Sequence, residues 1–175
     1  MLARVIYESM FGNTAAVAAA IAQGLSEYAT VELLNVAAAA ELPQPAADLL
    51  VVGGPTHMLG LSRPRTRRDA AQRTDALVPV EVGIREWLDK ALPVVAGTQA
   101  AAFGTKAVKP SWLPGSAARS AGKRLRRLGY ELVDEPVDFF VDGVTGPLAA
   151  GALDCARAWG ERLAYTGADR IAHRF

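Results

Sequence analysis

The stretch Tyr7-Glu8-Ser9-Met10-Phe11-Gly12-Asn13-Thr14 decides the fold, because it joins an apolar strand-like run at residues 3–7 to a helix-like run at residues 15–25. A loop that leads from a strand directly into a helix points unpaired backbone N–H groups and the positive end of the helix dipole at one spot. The hydroxyls of Ser9 and Thr14 can add donors to that spot, and Gly12 lets an anion approach the backbone closely. This pattern predicts a phosphate site.

The loop differs from the two common nucleotide-binding patterns. It lacks the Gly-Lys-Ser/Thr ending of the Walker P-loop, and it lacks the Gly-x-Gly-x-x-Gly turn of dinucleotide sites. The predicted ligand is therefore a terminal phosphate that neutral donors hold without a lysine. The alternative interpretation is an ordinary helix start with Asn13 or Thr14 as its N-cap.

Short β-rich runs alternate with longer helical ones along the chain, which is typical of parallel strands joined by crossover helices. The pattern predicts strands at about 3–8, 30–36, 48–54, 99–104 and 130–141, and helices at about 14–27, 83–92, 116–128 and 147–165. Residues 37–47 are interpreted as an Ala/Pro connection. In a doubly wound α/β sheet of this kind, ligands bind outside the carboxyl ends of the strands, where the strand order reverses.

Composition favours one globular domain over residues 1–175. The 175-residue chain is 51% hydrophobic and 21% charged, with a net charge of +1. The lone cysteine, Cys155, excludes an internal disulfide and a multi-cysteine metal site, so no metal is expected. No secretory leader and no run of ~20 apolar residues is visible, so we expect a cytoplasmic protein without a membrane span.

Three segments, in this order, resemble the flavodoxin family. Residues 7–14 resemble its phosphate loop, residues 48–57 its third strand with the flavin-flanking loop, and residues 100–106 its fourth strand with the second flavin loop. The resemblance implies noncovalent flavin mononucleotide (FMN) and a three-layer, five-stranded parallel sheet in the order 2-1-3-4-5. That order brings the three loops to one crevice between the first and third strands.

The resemblance also implies the contacts of the cofactor. It assigns the FMN phosphate to Ser9, Met10, Phe11, Gly12, Asn13 and Thr14. It assigns the flavin ring to Pro55, Thr56, His57, Met58 and Gly60, and then to Phe103, Gly104, Thr105 and Lys106. His57 stands where flavodoxins usually place Tyr or Trp, and Phe103 is interpreted equally as core or as ring contact. Trp112 is either a ring contact or a loop residue that packs on the domain.

A basic arm at residues 62–76 follows the predicted flavin loop. It contains Ser62-Arg63-Pro64-Arg65-Thr66-Arg67-Arg68 and then Arg73, and Lys106 and Lys109 add charge in the other loop. Two interpretations remain open: a solvated surface, or a surface that attracts an anionic substrate, a nicotinamide dinucleotide or an acidic partner. Nucleic-acid binding is not expected, because the net charge is small and no aromatic residues alternate with the arginines.

These observations leave three functional hypotheses. The first is electron transfer through noncovalent FMN between an unknown donor and an unknown acceptor. The second is an NAD(P)H-dependent FMN oxidoreductase that acts on quinone-like acceptors. The third is a flavodoxin-like domain that has lost its flavin and binds another phosphate ligand or a protein. No residue is nominated as a general acid or base. Cys155 is interpreted as a small buried residue of the last helix.

Overall fold

Strands and helices alternate in the computed structural model, which describes residues 1–44, 46–108 and 114–173. In chain order the elements are β1 (Leu2–Tyr7), α1 (Asn13–Leu25), β2 (Thr30–Asn35), α2 (Val36–Ala40), β3 (Leu49–His57), β4 (Gly60–Leu61), α3 (Pro64–Ala71), α4 (Ile84–Lys90), β5 (Gln99–Ala107), α5 (Ala117–Arg127), β6 (Glu131–Leu132), β7 (Val137–Val141) and α6 (Ala152–Ala172).

The sheet has the predicted doubly wound order. Strands β2, β1, β3 and β5 lie side by side and parallel, and both β6 and β7 pair in parallel with β5. The fifth predicted strand, at 130–141, is thus two short strands on the same neighbour. Pro136 lies between them and has no N–H to donate to the ladder, which accounts for the interruption.

Strand β3 extends three residues beyond its predicted end and folds back as a hairpin. The two-residue strand β4 pairs with it antiparallel, with His57 opposite Gly60. The turn between them places Met58 in the left-handed region, with φ of 57°. The hairpin therefore carries the end of the predicted flavin loop beyond the edge of the parallel sheet.

Helices cover both faces of the sheet, as the alternation of side chains along β3 shows. Leu49 and Val51 pack into the cluster that α1 and α6 cover. Leu50 and Val52 pack into the cluster that α2, α4 and α5 cover. Because every second residue points to the same face, a continuously apolar strand requires a helical layer on each side.

Glycines allow α1 and α6 to pack with their backbones in close approach. A Cβ at Gly160 would lie 2.3 Å from the carbonyl oxygen of Ile21, and one at Gly24 would lie 2.0 Å from that of Arg157. Neither backbone oxygen can move aside easily. The two helices therefore hold the start of α1 in a fixed place relative to the sheet.

Helix α6 begins five residues later than predicted. The preceding residues are engaged in extended pairing, because Leu148 forms an antiparallel bridge with Val141 and the Ala149 N–H donates to the carbonyl of Phe140. The prediction that Cys155 is buried is wrong. The side chain is exposed, because the buried face of α6 passes through Ala152, Ala156, Trp159, Gly160, Leu163, Ala164 and Gly167.

Two segments predicted as irregular contain helices. Helix α2 lies within the Ala/Pro connection, with the Asn35 side chain accepting from the Ala38 N–H at its start. Helix α3 forms most of the basic arm and begins at Pro64, a residue suited to the first turn. No helix within the described ranges is long and apolar enough to cross a membrane.

Candidate functional site

A cleft of about 380 Å³ opens at the carboxyl ends of β1, β3 and β5. This is the point where the strand order reverses, since the chain moves from β1 outward to β2 and then back across β1 to β3. The site lies where a doubly wound sheet is expected to bind its ligand. Its volume is within the usual range of pockets for small molecules and cofactors.

The loop after β1 forms one end of the cleft. Gly12 precedes α1 with φ of 89°, a conformation that side chains disfavour, and a Cβ there would meet nothing within 4 Å. The Ser9 hydroxyl accepts from the Gly12 N–H at 3.1 Å, so its own proton is available to another acceptor. No side chain caps the first turn of α1. Its N–H groups are thus suited to bind an anion.

A buried pair of hydroxyls lies behind this loop. The Oγ1 atoms of Thr14 and Thr105 are 2.7 Å apart, and both residues line the cleft. One hydroxyl donates to the other, so the second keeps a proton that can be donated to a ligand. Asn13 does not cap the helix, since its Nδ2 donates to the Thr145 carbonyl at 3.0 Å and joins the loop after β7 to the start of α1.

The β3–β4 hairpin forms the other end of the cleft. Thr56 is fixed there because its hydroxyl accepts from the Ala117 N–H at 3.0 Å. The Nδ1 atom of His57 lies 3.0 Å from the Oγ1 of Thr66 on α3. Burial, and then the positive charge of Arg67, lower the pKa of His57 to about 4. The imidazole is therefore neutral at physiological pH.

Arg67 belongs to the interior and not to a solvated arm. It is fully buried, and its Nε and Nη1 donate to the Val80 carbonyl at 2.7 Å and to the Ser62 hydroxyl at 2.8 Å. Its Nη2 lies 3.0 Å from a Glu86 carboxylate oxygen. That contact is an ion pair rather than a hydrogen bond, because Nη2 has no aligned acceptor.

Glu8 completes this buried cluster next to the phosphate loop. Its carboxylate accepts from the Ser62 hydroxyl and, at 2.9 Å, from the Ile84 N–H. Burial raises the pKa of Glu8, while those two hydrogen bonds and the charge of Arg67 act in the opposite direction. Glu8, Ser62, Arg67 and Glu86 together, here called the buried ionic cluster, connect the loop after β1 to α3 and to the start of α4.

The structure brings most of the predicted site residues to the cleft. Those that line it are Ser9, Met10, Phe11, Asn13, Thr14, Pro55, Thr56, His57, Met58, Thr105 and Lys106. Lys106 lies there with its Nζ 3.7 Å from a carboxylate oxygen of Asp138, so its charge is partly compensated.

Four predicted residues are not among those that line this cleft: Gly12, Gly60, Phe103 and Gly104. Gly12 lines a neighbouring cavity on the other side of its loop. Phe103 is fully buried, and its ring fills the space that Gly53 leaves open, where a Cβ would lie 2.2 Å away. Its side chain is thus core. Trp112 and Lys109 lie outside the described residues.

Two parts of the wall are not among the predicted cofactor contacts, although Thr66 and Arg73 belong to the predicted basic arm. Thr66, Asp69, Ala70 and Arg73 come from α3 and the turn after it, and Ala107, Val141, Gly143 and Val144 come from the ends of β5 and β7. The second group could have been predicted from the sequence, because β7 is parallel to β5 and its carboxyl end must lie at the same edge of the sheet. The first group had no signal beyond its place in the chain.

Solved structures share this fold. An archaeal flavodoxin is 20% identical with a TM-score of 0.63, over 95% of this chain and 99% of that one. Flavodoxin 2 from Bacillus cereus is 20% identical with a TM-score of 0.62, over 97% of this chain and 99% of that one. A structure named flavone reductase is 14% identical with a TM-score of 0.57, over 98% of this chain and 64% of that one.

Similarity in sequence is more specific than similarity in fold. No curated protein matches the chain in a sequence search. The family model described as flavodoxin, however, matches residues 5–159, which is most of the chain and includes all three segments around the cleft. The chain therefore belongs to the flavodoxin family, whose members bind FMN noncovalently and act in electron transfer.

Proposed function

We propose that the cleft is the FMN site and that the chain is an electron carrier. The phosphate lies at residues 9–14, and the ring lies between Pro55, Thr56, His57 and Met58 on one side and Thr105 and Lys106 on the other. The observation that carries this proposal is the uncapped first turn of α1, which opens onto a cleft at the switch point of the sheet.

The groups present suit a phosphate ester at that end of the cleft. The free protons of the Ser9 hydroxyl and of the Thr14–Thr105 pair add to the amides of the helix start. All of these donors are neutral and fixed by other hydrogen bonds, so no reorganisation is needed when an anion binds.

The residues at the ring end favour a role in binding rather than in proton transfer. When it is bound, FMN supplies the capacity to accept and release electrons. His57 is neutral at physiological pH and lies within hydrogen-bond distance of Thr66, and Lys106 is paired with Asp138, so both side chains are held in place to orient a ring. This supports electron transfer over an enzymatic reaction that needs an acid or a base.

The donor and the acceptor are proposed only by class. Arg63, Arg65, Arg68 and Arg73 lie exposed on or beside α3, which borders the cleft, and this charge favours an anionic or acidic partner. We place the protein in a reducing cytoplasm, where the exposed thiol of Cys155 stays reduced.

The experiment begins with the colour and the FMN content of the purified protein. Titration of flavin-free protein with FMN and riboflavin then measures the contribution of the phosphate, and steady-state oxidation of NADH and NADPH is measured with quinone acceptors. We expect a yellow protein that prefers FMN and turns over NAD(P)H slowly or not at all. Sustained turnover with a quinone would instead establish the oxidoreductase, and failure to take up FMN would overturn the proposal.

A further inference from the structure

Helix α3 runs along the cleft from its ring end towards its phosphate end. At the ring end, Thr66 contacts His57. One turn later, Asp69 and Ala70 also line the cleft. Arg73, in the turn that follows the end of α3 at Ala71, lines the same cleft.

The chain at this point has reached the phosphate loop. Thr74, the next residue, lines a second cavity of about 350 Å³ whose other wall is formed by residues 7–12. Arg73 and Thr74 therefore lie on the two sides of the loop that precedes α1. This places the backbone of Arg73 at the phosphate end of the cleft and not beside the flavin ring.

Arg73 differs from the other arginines of the basic arm. Arg67 is used in the buried ionic cluster, and Arg63, Arg65 and Arg68 are exposed but do not line the cleft. Within the described ranges, Arg73 makes no ion pair. Asp69, the acidic residue on the same wall, lies one turn nearer the ring end. The positive charge of Arg73 is therefore available to a ligand.

We propose that Arg73 supplies a positive charge to the FMN phosphate and makes the cleft selective for phosphorylated flavin. The inference rests on the proposed FMN site. A phosphate monoester carries −1.5 to −2 charges near neutral pH, and the donors of residues 9–14 are neutral. A guanidinium fits two phosphate oxygens at once, which gives geometric preference as well as attraction.

The position of Arg73 is set by its neighbour in the core. Arg67 lies on α3, the helix that precedes Arg73, and is held by the Val80 carbonyl, the Ser62 hydroxyl and the Glu86 carboxylate. Because that side chain is buried and fixed, α3 has one rotation about its axis. Helix α3 ends at Ala71, and the turn after it, in which the Arg73 N–H donates to the Ala70 carbonyl at 2.9 Å, brings Arg73 to the cleft.

The test compares flavin affinities of the wild type, Arg73→Gln, Arg73→Lys and Arg68→Gln by fluorescence titration at low and at physiological ionic strength. Arg68 is the matched control, since it is exposed like Arg73, lies five residues earlier on α3 and does not line the cleft. We expect Arg73→Gln to weaken FMN about three- to tenfold at low salt and to leave riboflavin unchanged. The difference in FMN affinity between the wild type and Arg73→Gln should become smaller as the salt concentration rises, and Arg73→Lys should bind FMN with an intermediate affinity.

Two results would overturn the role of Arg73 without affecting the proposed phosphate site. One is equal FMN affinities for Arg73→Gln and Arg68→Gln, and the other is an equal loss of affinity for FMN and for riboflavin in Arg73→Gln. The proposed phosphate site fails separately if the wild type binds FMN no more tightly than riboflavin. Denaturant unfolding of each flavin-free variant checks the fold. Because both arginines are exposed, we expect the unfolding midpoints to stay close to that of the wild type.

Discussion

Replacing Arg67 with Met should strongly destabilise the protein. The change removes the ion pair with Glu86, the positive charge that acts on the buried carboxylate of Glu8, and the hydrogen bonds to the Val80 carbonyl and the Ser62 hydroxyl. Breaking a buried pair by removal of one member costs about 3–5 kcal/mol. With an m-value of about 2 kcal/mol per molar urea, the unfolding midpoint should fall by about 1.5 M or more.

The neighbouring residue supplies the control. Arg68→Met is the same substitution on the same helix, at an exposed position, and should change the free energy of unfolding by less than about 0.5 kcal/mol. Both variants are unfolded in urea without added FMN and followed by far-ultraviolet circular dichroism, because bound FMN would add its own stabilisation. Equal midpoints for Arg67→Met and Arg68→Met would refute the role assigned to the buried ionic cluster.

The same variant should show a distinctive dependence on pH. Burial already raises the pKa of Glu8 in the folded protein, and loss of the Arg67 charge raises it further. When the pKa of a carboxyl is higher in the folded than in the unfolded protein, the protonated group stabilises the fold. That stabilisation is complete at a pH below the pKa of the unfolded state, and it is lost as the pH rises through the pKa of the folded state. The difference in the free energy of unfolding between the wild type and Arg67→Met should therefore become smaller as the pH is lowered towards about 5.

Three further results are expected. Ser9→Asp should bind FMN roughly tenfold or more weakly than Ser9→Asn, because a carboxylate would lie beside the phosphate, and the two variants should bind riboflavin equally. Equal FMN affinities of the two variants would show that the phosphate does not bind beside Ser9. The pKa of His57 is about 4 in the folded protein instead of 6.5. The unfolded chain therefore binds a proton more readily, so the free energy of unfolding of the wild type should fall between pH 6.5 and pH 4, by at most about 3 kcal/mol. His57→Gln should abolish that part of the slope in urea unfolding at several pH values, and an unchanged slope would contradict the assignment. Gly160→Ala should lower the melting temperature although alanine favours helices, because its Cβ would lie 2.3 Å from the Ile21 carbonyl oxygen; a gain in stability would contradict this packing.

The alternation of strands and helices could be predicted from periodicity, while the strand order, and with it the place of the cleft, came from the resemblance to the flavodoxin family. Parallel strands end at one edge of a sheet, so the loops after β1, β3 and β5 meet wherever those strands are neighbours. A strand–loop–helix pattern with Gly12 at its turn requires only local backbone geometry. The prediction failed locally at Pro136 and at the start of α6, where pairing with a distant strand decided the boundary.

Tertiary structure alone distinguished residues that look alike in the sequence. Arg67 and Arg68 are adjacent and identical, yet one is fully buried and the other exposed, because successive residues of a helix point about 100° apart and only packing selects the inward one. Phe103 became core for a similar reason, since Gly53 on the neighbouring strand left room for its ring. The sequence by itself determined that the loops after these parallel strands meet in a crevice at this edge of the sheet, because chain direction and backbone geometry suffice for that. Which arginine of the basic arm reaches the crevice was decided only by the tertiary contacts of α3 and of the turn after it.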